Sequence, residues 1–255
     1  VDTSGVFSNT NPVRPYRGNG RPECAFIIER MVELAAKELG IDSAELRRRN
    51  YISPKEMPFK TGLVYVYDCG AFDKNLERAL QNADYAGFEA RRAEARQRGK
   101  LRGLGMGNII EQTSQAFGEF VDVRFDPTGG VTVVPGSISH GQGHETTFAQ
   151  VVADKLGIPV ENVDVVHGDT GRIPFGMGTY GSRSLAVGGS AIMKALDKII
   201  AKGKKIAAHL LEASDTDIEF KDGVFSVPGT EKKKTIGEVA FAAYVPHNYP
   251  LDKLE

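Results

Sequence analysis

The apolar positions of this chain change period partway along. From residue 22 they recur at helical spacing: Ile27, Ile28, Met31, Leu34 and Ala35, opened by Pro22 and Glu23 and closed by Gly40. Asp42 or Ser43 then caps a short second helix running to Arg49. Residues 53–70 read as irregular or extended. From Asp73 the pattern predicts one long amphipathic helix, with Leu76, Leu80 and Ala83 on one face and a charged end, ARRAEARQRG. After residue 100 the period drops to two. GLGMGNIIEQ, GEFVDVRFD and VTVVPGSIS predict strands, the last two joined by a turn at Pro127–Gly130. A helix is predicted over Glu145–Leu156, stopped by Gly157 and Pro159, and VENVDVVHGD reads as a strand. A glycine-rich loop over 168–189 leads to a long helix carrying Ile192, Leu196, Ile199 and Ile200. IEFKDGVFSV predicts a hairpin turning on Asp222–Gly223, and TIGEVAFAAY a short closing helix. The expected fold class is α+β, mixed sheets with packed helices, with a boundary near residue 100.

Composition changes this picture in three places. The chain has 255 residues, 41% of them hydrophobic, which is enough for a sizeable core. A net charge of -1 gives no electrostatic reason to expect nucleic acid or an anionic membrane as partner, and no apolar run approaches membrane-spanning length. The two cysteines, Cys24 and Cys69, have no paired spacing, so a disulfide framework and a four-thiolate site are excluded and a reduced, cytoplasmic setting is expected. The opening segment has no signal-peptide pattern and no initiator Met, so the chain is expected to begin inside a longer protein.

The 29 glycines gather in discrete loops. Three of these run into a helix N-terminus: YRGNGRPE (16–23), HGQGHETT (140–147) and GMGTYGSRSLAVGGSA (176–191). Helix N-termini offer unpaired N–H donors and partial positive charge. Arg17 and Arg21 add forked donors, Thr179, Ser182 and Ser184 add hydroxyls, and Gln142 adds a donor and an acceptor. Together they suit a large polar ligand with phosphate and heterocyclic edges. Each loop alone reads first as a turn, and none matches a P-loop or a dinucleotide fingerprint. Gly103, Gly105 and Gly107 read as packing positions in a strand. His140 and His144 are four apart, a spacing that suits zinc on a helix, but Gly141 and Gly143 argue against a helix there and no HExxH pattern follows. No protein-ligated metal is expected. His167 reads as a strand-end hydrogen bonder, and His209 and His247 join no constellation.

In this order the three loops, with ERMVELAAKELGIDSAELRRRNYI between the first two, resemble the molybdenum-binding large subunit of the xanthine dehydrogenase and aldehyde oxidase family. The similarity is strongest to its carbon monoxide dehydrogenase large-subunit branch. The resemblance implies a molybdopterin-binding fold whose first segment ends within 1–100, together with a helical connector, and whose second segment begins within 101–255. It implies molybdopterin as cofactor, with the cytosine dinucleotide form among the options. The reaction implied is hydroxylation of an aldehyde or N-heterocycle with water as the oxygen source. Iron–sulfur and FAD-binding subunits or domains are implied as partners. Arg17 matches the arginine beside metal and substrate, Gln142 the glutamine of the GQG cradle flanked by Gly141 and Gly143, and Gly181, Ser182 and Ser184 the loop lying against the pterin.

Two departures matter. Carbon monoxide oxidisers of this family carry a copper-holding cysteine where this chain has Gly18. The family's catalytic glutamate lies in a later motif than any present here, so these 255 residues are expected to be an inactive part of a larger enzyme. A catalytically silent scaffold and a phosphate- or nucleotide-binding module of another class stand as alternatives.

Overall fold

A computed structural model describes residues 4–11, 16–18, 20–62, 65–111, 113 and 118–246. Parts of the expected opening segment (1–3, 12–15 and 19), Gln112 at the end of the expected GLGMGNIIEQ strand, and His247 lie outside the described residues. The chain divides into two compact units, Val1–Ile110 and Glu111–Glu255.

The first unit is mainly helical. Helix α1 (Arg21–Leu39) has Pro at its start and Glu23 in its first turn, and ends where Gly40 donates back to Lys37 and Ile41 to Ala36. Helix α2 (Ser43–Asn50) is capped by the Asp42 carboxylate, which accepts the Glu45 N–H at 3.0 Å. A two-residue ribbon follows, β1 (Phe59–Lys60) antiparallel to β2 (Val66–Tyr67). The single helix expected from Asp73 is instead two, α3 (Phe72–Asn82) and α4 (Phe88–Gln97). Asp84 takes a positive φ of 45°, and Arg91 donates to the carbonyls of Ala83 and Asp84 at 2.9 and 2.8 Å, closing the broken turn. Asp73 does not cap α3; the residue before the helix is Ala71, with no side-chain cap. The expected strand from Leu101 is also absent. Residues 101–111 are irregular, and Gly103, Gly105 and Gly107 are exposed with open space where a side chain would project. Three glycines with no partner strand cannot hold a ladder, so their packing role is withdrawn.

The second unit has the larger core. Strands β3 (Val121–Phe125) and β4 (Val131–Pro135) form the expected hairpin, Val121 opposite Pro135 through Phe125 opposite Val131. Its turn is fixed by Asp126, whose carboxylate accepts the N–H groups of Thr128 and Gly130 at 2.7 and 3.1 Å. Helix α5 (His144–Leu156) then crosses over to β5 (Val163–Val165), which lies parallel to β4. Helix α6 (Ser190–Leu211) does not emerge from an extended loop. A six-residue π-helical segment, Ser184–Gly189, leads straight into it. Strands β6 (Glu219–Lys221), β7 (Val224–Ser226) and β8 (Lys233–Thr235) form an antiparallel sheet, and α7 (Ile236–Tyr244) closes the unit on a capping box between Thr235 and Glu238.

Val133, Phe148, Leu156, Ile192, Leu196 and Phe225 are essentially inaccessible and belong to one cluster. They come from β4, α5, α6 and β7, so both sheets and both long helices share this core. Two glycines permit its closeness. Gly203, in mid-helix, faces the Phe225 ring; an added Cβ would lie 2.5 Å from Phe225 Cζ. Gly157 ends α5 at φ 64°, and its backbone lies against Asp222 and Gly223 of the β6–β7 turn with no room for a side chain.

Candidate functional site

The second and third glycine loops meet in the second unit. Beyond β4 the chain runs through Ser137 and Ile138 to HGQG. Gly141 and Gly143 adopt φ values of 96° and 76°, and an added Cβ on either would project into open space. These left-handed residues turn the chain abruptly into α5, whose N-terminus has no side-chain cap. Its first N–H groups therefore face the loop as donors. Gln142 is exposed, and its amide oxygen accepts the His140 N–H. That bond folds the loop on itself and leaves the amide NH2 as the outward group.

The third loop is tied to this one through Thr179. Its hydroxyl donates to the Ile138 carbonyl at 2.6 Å and lies 3.1 Å from the Ile138 N–H, and Ser184 Oγ is 3.3 Å from the same oxygen. Gly176 packs on Gly136 so closely that a Cβ on either would come within 2.7 Å of the other's Cα. Gly181 and Ser182 both have φ 56°. For serine this is a strained conformation, one that needs support from its surroundings. Ser182 is exposed and Ser184 half-buried.

That support is Arg183, between the two serines. Its side chain is fully buried, as is that of Glu119, which it contacts at 2.5 Å. The guanidinium also donates to the carbonyls of Gly178 and Gly118, at 2.9 and 3.0 Å. Glu119 Oε1 accepts the N–H groups of Phe120 and Met177, at 3.1 and 3.2 Å. The sequence reading missed both residues.

Three histidines gather at the start of α5. His144 is buried and stacks on Phe148, ring centroids 5.1 Å apart. Burial pushes its pKa below the ordinary 6.5, and neighbouring His167 and His140 push the same way against Glu145. A neutral imidazole results. Among the described residues its Nδ1 is buried without a hydrogen-bond partner, and so is Ser137 Oγ nearby in sequence. His167 Nε2 lies 2.7 Å from Glu145 Oε1, the strand-end hydrogen bond expected of it. That contact, after hydrogen bonding at its own backbone N–H, holds the Glu145 carboxyl below the usual range. Among the described residues, no group of three His, Cys, Asp or Glu side chains is placed to hold a metal ion.

Arg17 belongs to the first unit. It is exposed and sits just before α1. The adjoining Gly18 has φ 104°, and a Cβ there would lie 2.7 Å from the Pro22 ring.

A family model described as a molybdopterin cofactor-binding domain matches residues 78–253, and a second of the same description matches 1–51. The chain belongs to the molybdopterin cofactor-binding domain family. Its relatives there include the carbon monoxide dehydrogenase large chain of Hydrogenophaga pseudoflava, 38% identical over 94% of this chain and 32% of that one. The 6-hydroxypseudooxynicotine dehydrogenase complex subunit gamma of Paenarthrobacter nicotinovorans is 37% identical over 93% of this chain and 30% of its own. Among solved structures, quinoline 2-oxidoreductase from Pseudomonas putida 86 superposes with a TM-score of 0.80 at 35% identity, covering 94% of this chain and 32% of that one. The molybdopterin-binding chain described here thus spans about a third of the length of the curated relatives it matches. The likeness agrees with the α+β class. No helix among the described residues is long and apolar enough to cross a membrane.

Proposed function

We propose that this chain supplies cofactor-facing loops of a molybdenum hydroxylase large subunit, an oxidoreductase that hydroxylates an aldehyde or N-heterocycle with water. The observation that carries the reading is the meeting of two glycine loops at the uncapped start of α5, beside a buried imidazole nitrogen with no hydrogen-bond partner among the described residues. Those features fit molybdopterin. Backbone donors and open glycine surface suit its phosphate and pterin edges, and a neutral histidine suits a heterocycle. When bound, the molybdenum cofactor supplies the redox chemistry.

In this reading Gln142, held by its own loop, donates its amide NH2 to the pterin, while Gly141 and Gly143 let it approach the backbone. Gly181, Ser182 and Ser184 would offer N–H groups and hydroxyls from the third loop. Arg17, in the first unit, would stabilise negative charge developing on the substrate, a preorganised electrostatic role. Gly18 supplies no thiolate, and its backbone leaves no room for a side chain beside Pro22, so an organic substrate fits better than carbon monoxide. Residues 1–100 would hold the end of a first cofactor-binding segment with its helical connector, and residues 101–255 would open the second. The catalytic glutamate and the iron–sulfur and FAD partners belong to the rest of the complex, with the cytoplasm as its setting.

The test is molybdenum content by elemental mass spectrometry, on this chain and on the full-length subunit from a cofactor-competent host. Metal in the full-length subunit supports the reading. None there removes it and points to a phosphate- or nucleotide-binding module, which a thermal-shift panel of nucleotides would detect. Gln142→Ala should lower occupancy roughly two- to tenfold, the worth of one hydrogen bond of about 0.5–1.5 kcal/mol.

A further inference from the structure

The loop carrying Ser182 and Ser184 is anchored by a feature that no other part of the site requires. Arg183 and Glu119 lie 64 residues apart, both with side chains wholly shielded from water. A buried ion pair of this kind adds little net stability over an apolar pair of the same volume, because both charges lose their hydration. What it adds is direction. Among the described residues it engages backbone atoms of two segments, and the guanidinium also lies over the Tyr180 ring, 5.5 Å from its centroid. Gly178 O and Met177 N belong to the loop; Gly118 O and Phe120 N belong to the lead into β3. The pair therefore stitches the loop to the sheet by charge-assisted bonds whose geometry admits one arrangement. On either side of Arg183 stand the loop's two serines, Ser182 exposed at a strained φ and Ser184 half-buried with its hydroxyl on Thr179.

We propose that Glu119 and Arg183 are a positioning pair, setting the Gly178–Ser184 loop in the shape that receives the cofactor before any cofactor is present. The proposal rests on the reading of this loop as cofactor-facing. Glu119 and Arg183 touch neither cofactor nor substrate in it; they act through the backbone they hold.

The experiment uses the full-length subunit, loaded and cofactor-free, with Arg183→Lys and Glu119→Gln. Arg183→Lys keeps the charge and loses the fork; Glu119→Gln keeps the shape and loses the charge. In the cofactor-free protein, amides of Met177–Ser184 should exchange with solvent about tenfold faster or more, while those of α5 and α6 keep their wild-type rates. In the loaded protein molybdenum retention should fall about five- to tenfold. The fraction that keeps metal should show an altered Mo(V) paramagnetic spectrum, with kcat lowered and KM within about twofold. A contact that served stability alone would leave that spectrum and kcat at wild type in any variant that folds.

Wild-type loop exchange, or a wild-type spectrum and kcat on the retained metal, in either folded variant overturns the proposal. If neither variant folds, the Glu119→Leu/Arg183→Met double variant replaces the pair by apolar volume, and wild-type loop exchange in that protein overturns it equally. Absence of molybdenum from the wild-type subunit would sink the cofactor reading instead, and loop exchange in the cofactor-free variants would still decide whether the pair sets the loop.

Discussion

Arg47 and Arg183 are both buried, each against carboxylates, in different units of the chain. Arg47 lies on α2 and reaches Glu29 at 2.7 Å and Glu33 at 2.9 Å, both on α1, and donates to the Ser43 carbonyl at 3.1 Å. Around it the first unit buries little hydrocarbon: Ala36, Ala44, Leu76 and Ala95 are its fully buried apolar side chains among the described residues. Arg183 sits in a unit whose core holds Phe148, Leu156, Ile192, Leu196 and Phe225. The first unit spends its buried arginine on holding two helices together. The second has apolar burial enough for cohesion, and its arginine fixes a loop. Removal should therefore have different consequences, global within the first unit and local within the second.

The largest effect should come from the apolar side. Phe148→Ala leaves a cavity between α5 and its neighbours and should cost about 3–5 kcal/mol, read by urea unfolding of the second unit. Gly157→Ala should approach that size. It forces a side chain at φ 64° onto the backbone of Asp222 and Gly223, so about 2–4 kcal/mol is expected. Next is Arg47→Met, which strands Glu29 and Glu33. Both carboxylates retain some water, so the loss should be about 2 kcal/mol, below the figure for a fully buried pair. Hydrogen exchange should show it across α1 and α2 and leave the second unit unchanged. An exchange pattern confined to one turn would break the contrast.

Two smaller effects depend on pH. His144 has its folded pKa below the ordinary 6.5, so the unfolded chain binds the proton more readily. Stability should fall as pH drops below 6.5 towards the folded value, and should be level above it. His144→Phe should flatten that slope in denaturation curves taken at several pH values. Glu238 is held at about 2, first by Lys234 and then by the Thr235 backbone. Its contribution is present above the ordinary 4.5 and is lost as pH falls towards about 2. Because the carboxylate is half exposed, Glu238→Gln should cost about 0.5–1 kcal/mol at pH 7 and nothing at pH 2.

Legibility of the fold followed periodicity. α1, α5, α6 and α7 carry apolar stripes or punctuating glycines that state their limits, and both β-hairpins carry their turn residues. The break after Asn82 was hidden because ADYAGF contains no proline and continues an apolar spacing; only Asp84 in a left-handed conformation, held by Arg91, ends the helix. Leu101–Glu111 alternates like a strand, yet alternation does not supply a partner to bond with. β8, KKT, is too polar to announce itself and is recruited by pairing with β7. At the site, the glycine and hydroxyl loops were visible because they cluster in sequence. Glu119 and Arg183 were not, since a charged residue reads as surface and nothing local reveals a partner 64 positions away. A faint signal existed: arginine in GSRSLAVGG stands alone among small and apolar residues.

The π-helical turn at Ser184–Gly189 has a consequence for how this chain can vary. A π turn carries one residue more than an α turn, which shifts the angular phase of everything beyond it by roughly 100°. On one side of that shift Arg183 must face Glu119; on the other Ile192 and Leu196 must face the core. Without the additional residue a straight α-helix could satisfy one orientation and would rotate the other into solvent. A single deletion within 185–189 should thus uncouple the loop from the helix while sparing the site side chains named above. Substitutions in the same six positions should be far milder. For this segment the conserved quantity would be its length.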